Sequence, residues 1–443
     1  MKYFFVLILV VLFSACSINK AQMKEKKVVE IDDLKYIPQS ISFYTQNVDI
    51  NISEDEIAKI QSNYERRYFR VWNMDEPSES LENVKWPFRS FRVGKSYGEN
   101  LQPLEQSFFD EMYENSNFDN YASLNKKALT LQHVNIRVMP TLKPLTKDPT
   151  IAGEGFPFDY LQNSTLEANK PIFVSHYSKD REWVYVFSSF ASGWIKSNEI
   201  VFLDKKYTDA WQEAKQLFIT KENISIFSNE GDFLFKSKIG MMLAIVDKNE
   251  SDYTVLTVAA YKNSKPMFLK ATLSKDVVSE NILTFSKENI DHIISEISLS
   301  NYGWGGMYNQ RDCSSMLRDL FSVFGVWLPR NSSQQSRMGT IISLENLEDE
   351  EKIKLIKEKA IPFQTLLYKK GHIVLYVGTY NGEIIIFHNT WGIKTKKDGV
   401  AGRVVIGRSI FSSLRLGKNQ ENYDEESEIL RNLKSMNILT SKN

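Results

Sequence analysis

Residues 302–321 read Tyr-Gly-Trp-Gly-Gly-Met-Tyr-Asn-Gln-Arg-Asp-Cys-Ser-Ser-Met-Leu-Arg-Asp-Leu-Phe, a glycine-rich loop that leads into an apolar pattern. After Cys313 the apolar residues recur at helical spacing, which predicts a helix from about 313 to 324 that ends before Gly325. These residues are Met316, Leu317, Leu320, Phe321 and Phe324. The Cys313 sulfur would then lie at the positive end of the helix dipole, where the thiolate is favoured over the thiol. The stretch predicts a cysteine nucleophile with a lowered pKa.

A thiolate nucleophile needs a base, and the base needs a group that orients it. The chain has five histidines, which are His133, His176, His292, His372 and His388. His372 opens an apolar strand, and His388 ends the next one. With a turn at 380–383, a hairpin would bring both rings to the same end of a sheet. We therefore predict Cys313 as nucleophile, His372 as base and His388 as the group that orients the base.

Five motifs in the last third of the chain resemble, in order, the signatures of the NlpC-type cysteine peptidases, papain-like enzymes of the bacterial cell wall. They are Tyr302-Gly-Trp-Gly-Gly306, Arg311-Asp-Cys-Ser314, Leu328-Pro-Arg-Asn-Ser332, Gly371-His372 and Phe387-His388. The resemblance implies an α+β papain-like catalytic domain and assigns the catalytic roles to the same three residues. The substrate-recognition residues that it implies are Tyr302, Trp304, Asp312, Ser314 and Ser332.

The region before this domain indicates further domains. Residues 31–132 read as mostly helical, and two stretches of short strands follow. Their strand order resembles bacterial SH3-like domains, and the whole resembles the four-part architecture of γ-D-glutamyl-L-diamino-acid endopeptidases. The fold class predicted is multidomain: a helical N-terminal domain, two small SH3-like β-barrels and the catalytic domain. The four domains are predicted, in that order, at 31–132, 133–206, 207–283 and 284–417. Before them we predict a lipoprotein signal peptide at 1–16 and a tether at 17–30, and after them a polar, helical tail at 418–443.

The resemblance to γ-D-glutamyl-L-diamino-acid endopeptidases implies that the first SH3-like domain narrows the active-site cleft with an aromatic or acidic side chain. Tyr160 and Tyr177 are both candidates for that side chain. A carboxylate at Asp312 can pair with the free amine of a substrate's L-Ala, although it can equally cap the helix of Cys313. Tyr302 and Trp304 can equally be core aromatics.

Composition excludes several other classes. The 443 residues are 42% hydrophobic and 25% charged, as in a globular protein with several domains. Lys and Arg together number 55, as do Asp and Glu, so no net charge favours nucleic acid as a partner. The only two cysteines, Cys16 and Cys313, lack the paired spacing of a zinc site and rule out a disulfide scaffold.

The N-terminus resembles a lipoprotein signal. An apolar run from Tyr3 to Phe13, too short to span a bilayer comfortably, leads into Leu12-Phe13-Ser14-Ala15-Cys16, which resembles a bacterial lipobox. A plain secretory signal with an incidental cysteine is the alternative. The resemblance implies lipidation of Cys16 and an exported protein held in the cell envelope, on the periplasmic face of the outer membrane in a two-membraned bacterium.

We therefore predict a monomeric, membrane-tethered hydrolase of peptidoglycan stem peptides that cleaves the bond between D-γ-Glu and the diamino acid, in stems with a free N-terminal L-Ala. Neither a metal nor an organic cofactor is required. A murein amidase or a D,D-endopeptidase on the same fold is one alternative. A scaffold lipoprotein that binds the cell wall through its SH3-like domains, with an idle peptidase domain, is another.

Overall fold

The structure is a computed structural model that describes residues 31–46, 54–262 and 265–439. The predicted signal peptide, the lipobox with Cys16 and the tether 17–30 lie outside the described residues. Within these ranges no helix is both long enough and apolar enough to cross a bilayer.

The N-terminal domain is helical, as its sequence predicts. Helix α5 contains the predicted helical stretch from Gln106 to Tyr113, and its buried face presents Phe108, Phe109 and Met112. The helices are α1 (Asp33–Tyr36), α2 (Glu54–Tyr68), α3 (Leu81–Val84), α4 (Trp86–Ser90) and α5 (Gln106–Asn115).

The first SH3-like domain is one antiparallel sheet of seven strands in the order β3-β2-β6-β5-β4-β1-β7. The strands are β1 (Lys126–Thr130), β2 (Val134–Arg137), β3 (Gln162–Leu166), β4 (Pro171–Tyr177), β5 (Trp183–Phe187), β6 (Ser192–Lys196) and β7 (Ile200–Phe202). Strand β1 lies before the predicted start at 133, yet it pairs with both β4 and β7. Its short Lys-Lys-Ala-Leu-Thr sequence lacks the alternation that marks a strand.

The second SH3-like domain begins with helix α6 (Lys205–Glu213) and contains a five-stranded sheet in the order β13-β12-β11-β8-β14 beside the two-stranded sheet β10-β9. Its strands are β8 (Gln216–Ile219), β9 (Ser225–Phe227), β10 (Phe233–Lys236), β11 (Met242–Lys248), β12 (Asp252–Lys262), β13 (Lys265–Ser274) and β14 (Val278–Ser279).

The catalytic domain packs helices against a six-stranded antiparallel sheet in the order β15-β20-β16-β17-β18-β19. Apolar residues of α7 and α8 form one core with the sheet, as Ile293 and Leu317 do with Leu375 and Phe387. The elements are α7 (Lys287–Ser298), α8 (Cys313–Ser322), α9 (Ser332–Gln335), β15 (Thr340–Ser343), α10 (Asp349–Lys359), β16 (Thr365–Lys369), β17 (His372–Tyr380), β18 (Glu383–Lys397), β19 (Val400–Ser413) and β20 (Leu433–Ile438).

The prediction of a helical C-terminal tail is wrong. Strand β20 inserts between the edge strand β15 and β16, and Met436 is fully buried there. These residues complete the catalytic domain. The physical reason is that pairing on both edges satisfies the backbone of a segment whose own polar sequence shows no strand alternation.

Buried charges join the second SH3-like domain to helix α8. The Arg311 guanidinium donates to Glu222 Oε1 at 2.6 Å and to Asp319 Oδ2 at 2.8 Å, and all three residues are buried. Two carboxylates around one guanidinium offset part of the cost of taking these charges out of water. The helix that carries Cys313 is thereby fixed to a neighbouring domain.

Candidate active site

Cys313 is the first residue of helix α8, and the residue before it caps the helix. Asp312 Oδ1 accepts from the Ser315 backbone N–H at 2.8 Å, and the Ser315 hydroxyl accepts from the Asp312 N–H at 2.9 Å. This reciprocal capping box fixes where the helix starts. The predicted helix is confirmed, although it ends at Ser322, two residues earlier than expected.

The two histidines meet as the hairpin predicts. His372 Nε2 lies 2.9 Å from His388 Nδ1, and His388 Nε2 lies 3.0 Å from the Ser412 hydroxyl oxygen. His388 is 1% exposed. Among the described residues His372 Nδ1 has no hydrogen-bond partner, and no hydrogen bond joins it to the Cys313 thiol. His372 and Cys313 nevertheless line the same groove.

The prediction that the pKa of the Cys313 thiol is lowered is wrong for this structure. Burial and the neighbouring Asp312 carboxylate raise the pKa of Cys313 to about 12. Burial, with a smaller effect of Lys369, lowers the pKa of His372 to about 3. His388 has its pKa lowered well below the ordinary value, by burial first and by His372 next. The resting site therefore holds a neutral thiol beside neutral imidazoles.

Asp312 is ion-paired as well as capping. Arg330 Nη2 donates to Asp312 Oδ2 at 2.7 Å, and Arg330 Nε donates to the Ser164 hydroxyl at 2.7 Å. Although burial opposes ionisation, Arg330 and the Ser315 contacts lower the pKa of Asp312, so the carboxylate stays charged. The expectation that it caps the helix is thus met. Among the described residues Oδ2 accepts only from Arg330, which leaves it a lone pair for another donor.

The glycine-rich loop packs directly on the first SH3-like domain. A Cβ on Gly305 would lie 2.5 Å from the Gln162 carbonyl oxygen, and one on Gly306 would lie 2.4 Å from Thr165 Oγ1. Both glycines also have positive φ angles, of +59° and +83°. Only glycine allows this approach of the two domains. It brings Trp304 Nε1 within 2.8 Å of the Asp159 carbonyl oxygen, to which it donates.

A groove of about 1280 Å³ runs past Cys313. Its walls come from the helical domain, the first SH3-like domain and the catalytic domain, and none of the described residues of the second SH3-like domain lines it. The predicted site residues that line it are Tyr160, Tyr302, Trp304, Asp312, Cys313, Ser314, Ser332, His372 and His388.

Tyr177 does not belong to this group, and its prediction as a residue that closes the cleft is wrong. Its ring packs against Phe202 and under Arg181, at the far end of strand β4. Tyr160 lies at the groove instead, with its ring 5.6 Å from that of Trp304 and its hydroxyl donating to Glu154 at 2.9 Å. The two tyrosines differ in position because β3 and its preceding loop, and not β4, contact the glycine-rich loop.

Three residues with roles at this site escaped the sequence analysis. Arg330 lies inside a motif already noted, and only its contacts reveal that it links Asp312 to Ser164. Gln162 donates from Nε2 to the Gly305 carbonyl oxygen at 3.1 Å. Ser412 lies far along the chain and had no motif to mark it.

Among the described residues, no three His, Cys, Asp or Glu side chains are grouped so that they could hold a metal ion.

A buried cysteine at the start of a helix, packed on an antiparallel sheet that presents a histidine pair, defines a papain-like cysteine peptidase. Comparison with known families agrees. The matching family models are the NLPC_P60 stabilising domain, N term, at residues 5–121, the SH3 domain of SH3b1 type at 144–196, the SH3 domain of SH3b2 type at 204–250, and the NlpC/P60 family at 300–404. Residues 300–404 therefore form an NlpC/P60 family domain, and the four matches together confirm the predicted resemblance and the predicted four-domain fold.

A solved structure shares this fold. An NlpC/P60 endopeptidase from Photobacterium damselae subsp. piscicida aligns with a TM-score of 0.79 at 24% identity, over 92% of this chain and 98% of its own. An NlpC/P60 family protein from Bacillus cereus ATCC 10987 aligns with a TM-score of 0.46 at 14% identity, over 70% of this chain and 99% of its own. No curated protein sequence matches the chain.

Proposed function

We propose that this peptidase hydrolyses peptidoglycan stem peptides at the bond between D-γ-Glu and the diamino acid, in stems whose N-terminal L-Ala is free. The observation that carries the proposal is the contact between the first SH3-like domain and the start of α8. Arg330 bridges Ser164 to Asp312, and Tyr160 packs on Trp304 at the groove. This contact forms one wall of the groove beside Cys313, and a wall at that position favours a short N-terminal peptide over a glycan-linked stem.

The Asp312 carboxylate supports a free amine as the feature recognised. Its Oδ2 atom accepts from Arg330 and keeps a lone pair, and its side chain is 12% exposed. A substrate ammonium that donates to Oδ2 would form a charge-assisted hydrogen bond shielded from water. An L-Ala that is amide-linked to a glycan has no such charge, so it would bind more weakly.

The mechanism follows from the neutral state of the site. As the Cys313 sulfur attacks the γ-D-Glu carbonyl carbon, its proton passes to His372 Nδ1, the ring nitrogen left free. The Cys313 backbone N–H, at the first helical position, has no intrahelical acceptor and can donate to the oxyanion. His372 then gives its proton to the amine of the departing diamino acid, which leaves a thioester. Water attacks the thioester with His372 as base and releases L-Ala-D-Glu and the thiol.

Digestion of defined muropeptides tests the proposal. Purified protein and a Cys313→Ala control are incubated with a free tripeptide stem and with the same stem on N-acetylmuramic acid, and the products are read by mass spectrometry. We expect wild-type protein to release L-Ala-D-Glu from the free stem only. Release of intact stems would instead indicate an amidase. A crosslinked dimer of tetrapeptide stems is digested in parallel, and cleavage of its crosslink alone would indicate a D,D-endopeptidase.

An idle peptidase domain is tested with the same pair of proteins. Binding to purified peptidoglycan should be equal for the wild type and the Cys313→Ala variant, since the SH3-like domains are unchanged. Hydrolysis should occur with the wild type only. Equal binding with no hydrolysis by either protein would support the scaffold alternative.

We further propose that Cys16 anchors the protein to a membrane through lipid. The support is the lipobox-like sequence at 12–16. Metabolic labelling of the full chain with an alkyne fatty acid should label the wild type and leave a Cys16→Ser variant unlabelled. Equal absence of label in both would contradict lipidation.

A further inference from the structure

Ser412 extends the hydrogen-bonded chain of the active site, and we infer that it is a positioning residue that sets the tautomers of His388 and His372. It lies on strand β19, two residues along from Ile410, the direct partner of His388 on β18. That register puts its hydroxyl on the same face of the sheet as the imidazole. Ser412 is fully buried.

The direction of each hydrogen bond follows from the last link of the chain. The Ser412 hydroxyl donates to the Ser413 carbonyl oxygen at 3.0 Å, and a carbonyl oxygen can only accept. Because the Ser412 hydroxyl proton is directed to that carbonyl oxygen, the hydroxyl oxygen accepts from His388 Nε2, which lies 3.0 Å away. The proton on the neutral His388 ring is therefore on Nε2.

The hydrogen bond between His388 and His372 fixes the tautomer of His372 in the same way. With its proton on Nε2, His388 presents a lone pair at Nδ1, which must accept from His372 Nε2 at 2.9 Å. His372 then holds its proton on Nε2 and a lone pair on Nδ1. The Nδ1 lone pair is what a general base for Cys313 requires. Ser412, which is two hydrogen bonds away from His372, thus keeps His372 in the tautomer with its proton on Nε2.

Removing the hydroxyl should release this control. In a Ser412→Ala variant the His388 Nε2–H would be buried without an acceptor, which is costly. The ring can avoid the cost by moving its proton to Nδ1, where it would face the Nε2–H of His372. His372 must then shift its own proton to Nδ1, and its lone pair is lost to Cys313.

The inference rests on the role proposed for Cys313 as nucleophile, and not on the identity of the bond cleaved. The experiment therefore uses alkylation of Cys313 by iodoacetamide in the full chain, which requires no substrate. We expect Ser412→Ala to slow alkylation at neutral pH by roughly 10- to 100-fold, since a lost buried acceptor has consequences of that size. Ser412→Thr, which keeps the hydroxyl, should recover most of the rate.

Ser413→Ala is the matched control. Ser413 is also buried on β19. Only its backbone carbonyl takes part in the series of hydrogen bonds from Ser412 to His372, whereas its hydroxyl accepts from the Arg415 N–H. This variant should alkylate at the wild-type rate. Equal rates for Ser412→Ala and Ser413→Ala, or a folded Ser412→Thr that is as slow as Ser412→Ala, would overturn the inference.

Nitrogen NMR of the imidazole rings provides a readout that a packing defect would not move, and it needs only the wild-type protein if Ser412→Ala does not fold. The two-bond ¹⁵N–¹H correlations should show the proton on Nε2 of both His372 and His388. A wild-type His388 protonated on Nδ1 would contradict the inference outright. In a folded Ser412→Ala variant, the His388 signals should move towards the Nδ1-protonated pattern.

Discussion

His372 Nε2 lies 2.9 Å from His388 Nδ1, so one nitrogen of the base is occupied by its neighbour and only the other can serve Cys313. This relationship makes the two histidines unequal. Both histidines line the groove with Cys313, but His388 is only 1% exposed and both of its ring nitrogens have partners, in His372 and Ser412. These contacts support our proposal that His372 is the base and that His388 orients it.

Variants of His388 should separate orientation from proton transfer. His388→Leu removes the acceptor of the His372 Nε2–H, and we expect kcat to fall by about 10²-fold because the base loses its fixed tautomer and position. His388→Asn offers a side-chain carbonyl oxygen as acceptor and should keep more activity than the leucine variant. Steady-state kinetics on the free tripeptide stem measure both. Equal activity of the two variants would argue against orientation by a hydrogen bond.

The pH dependence of Cys313 alkylation should follow the raised thiol pKa. Because burial and Asp312 hold the thiol pKa near 12, the thiolate is scarce at neutral pH and increases as pH rises. The rate of alkylation by iodoacetamide should therefore climb steadily from pH 6 to above pH 9. Glutathione under the same conditions is the control, and its curve should level off at lower pH. A constant rate from pH 5 to 8 for the protein would instead indicate a thiolate–imidazolium pair.

Gly306→Ala should disturb the contact between the catalytic and first SH3-like domains. The new Cβ would lie 2.4 Å from Thr165 Oγ1, in addition to the strain of a φ of +83°. Gly382 has the same φ of +83° with open space around it, so Gly382→Ala carries the backbone strain alone. We expect Gly306→Ala to lower the free energy of unfolding by about 1–3 kcal/mol more than Gly382→Ala. Urea unfolding of both variants measures the difference, and equal losses would contradict the packing role.

Arg330→Met should leave the Asp312 carboxylate buried without its cation. Loss of one partner of a buried ion pair costs about 3–5 kcal/mol, and the pKa of Asp312 should rise because its burial is no longer opposed by Arg330. The exposed Arg337 is the control, since it has no carboxylate partner among the described residues. Arg337→Met should change the free energy of unfolding by less than about 0.5 kcal/mol. Chemical denaturation tests the pair, and similar losses for both variants would contradict the ion-pair assignment.

The parts of the site that follow from local sequence could be predicted. The apolar spacing after Cys313 is periodic over three turns, so helix α8 was evident, and one hairpin was enough to bring His372 and His388 together. Motif order also pointed to Asp312. These features depend on residues that are close in sequence or joined by a short turn.

The remaining features depend on contacts between distant residues, which periodicity does not report. Arg330 reaches Ser164 across 166 positions of the chain, and Ser412 meets His388 only through the pairing of β18 with β19. The thiol pKa was predicted in the wrong direction because burial outweighs the helix dipole, and burial is a property of the assembled domains. The same limit explains β20, whose partners are strands from elsewhere in the domain.

The central claim, that Cys313 attacks the γ-D-Glu carbonyl, is tested most directly by trapping the covalent intermediate. Wild-type protein is mixed with L-Ala-γ-D-Glu-diaminopimelate, quenched with acid within milliseconds, digested and mapped by mass spectrometry. We predict a mass increase of one L-alanyl-D-glutamyl group on the peptide that contains Cys313, and no such increase in Cys313→Ala. An adduct on another residue, or one that retains the diamino acid, would contradict it.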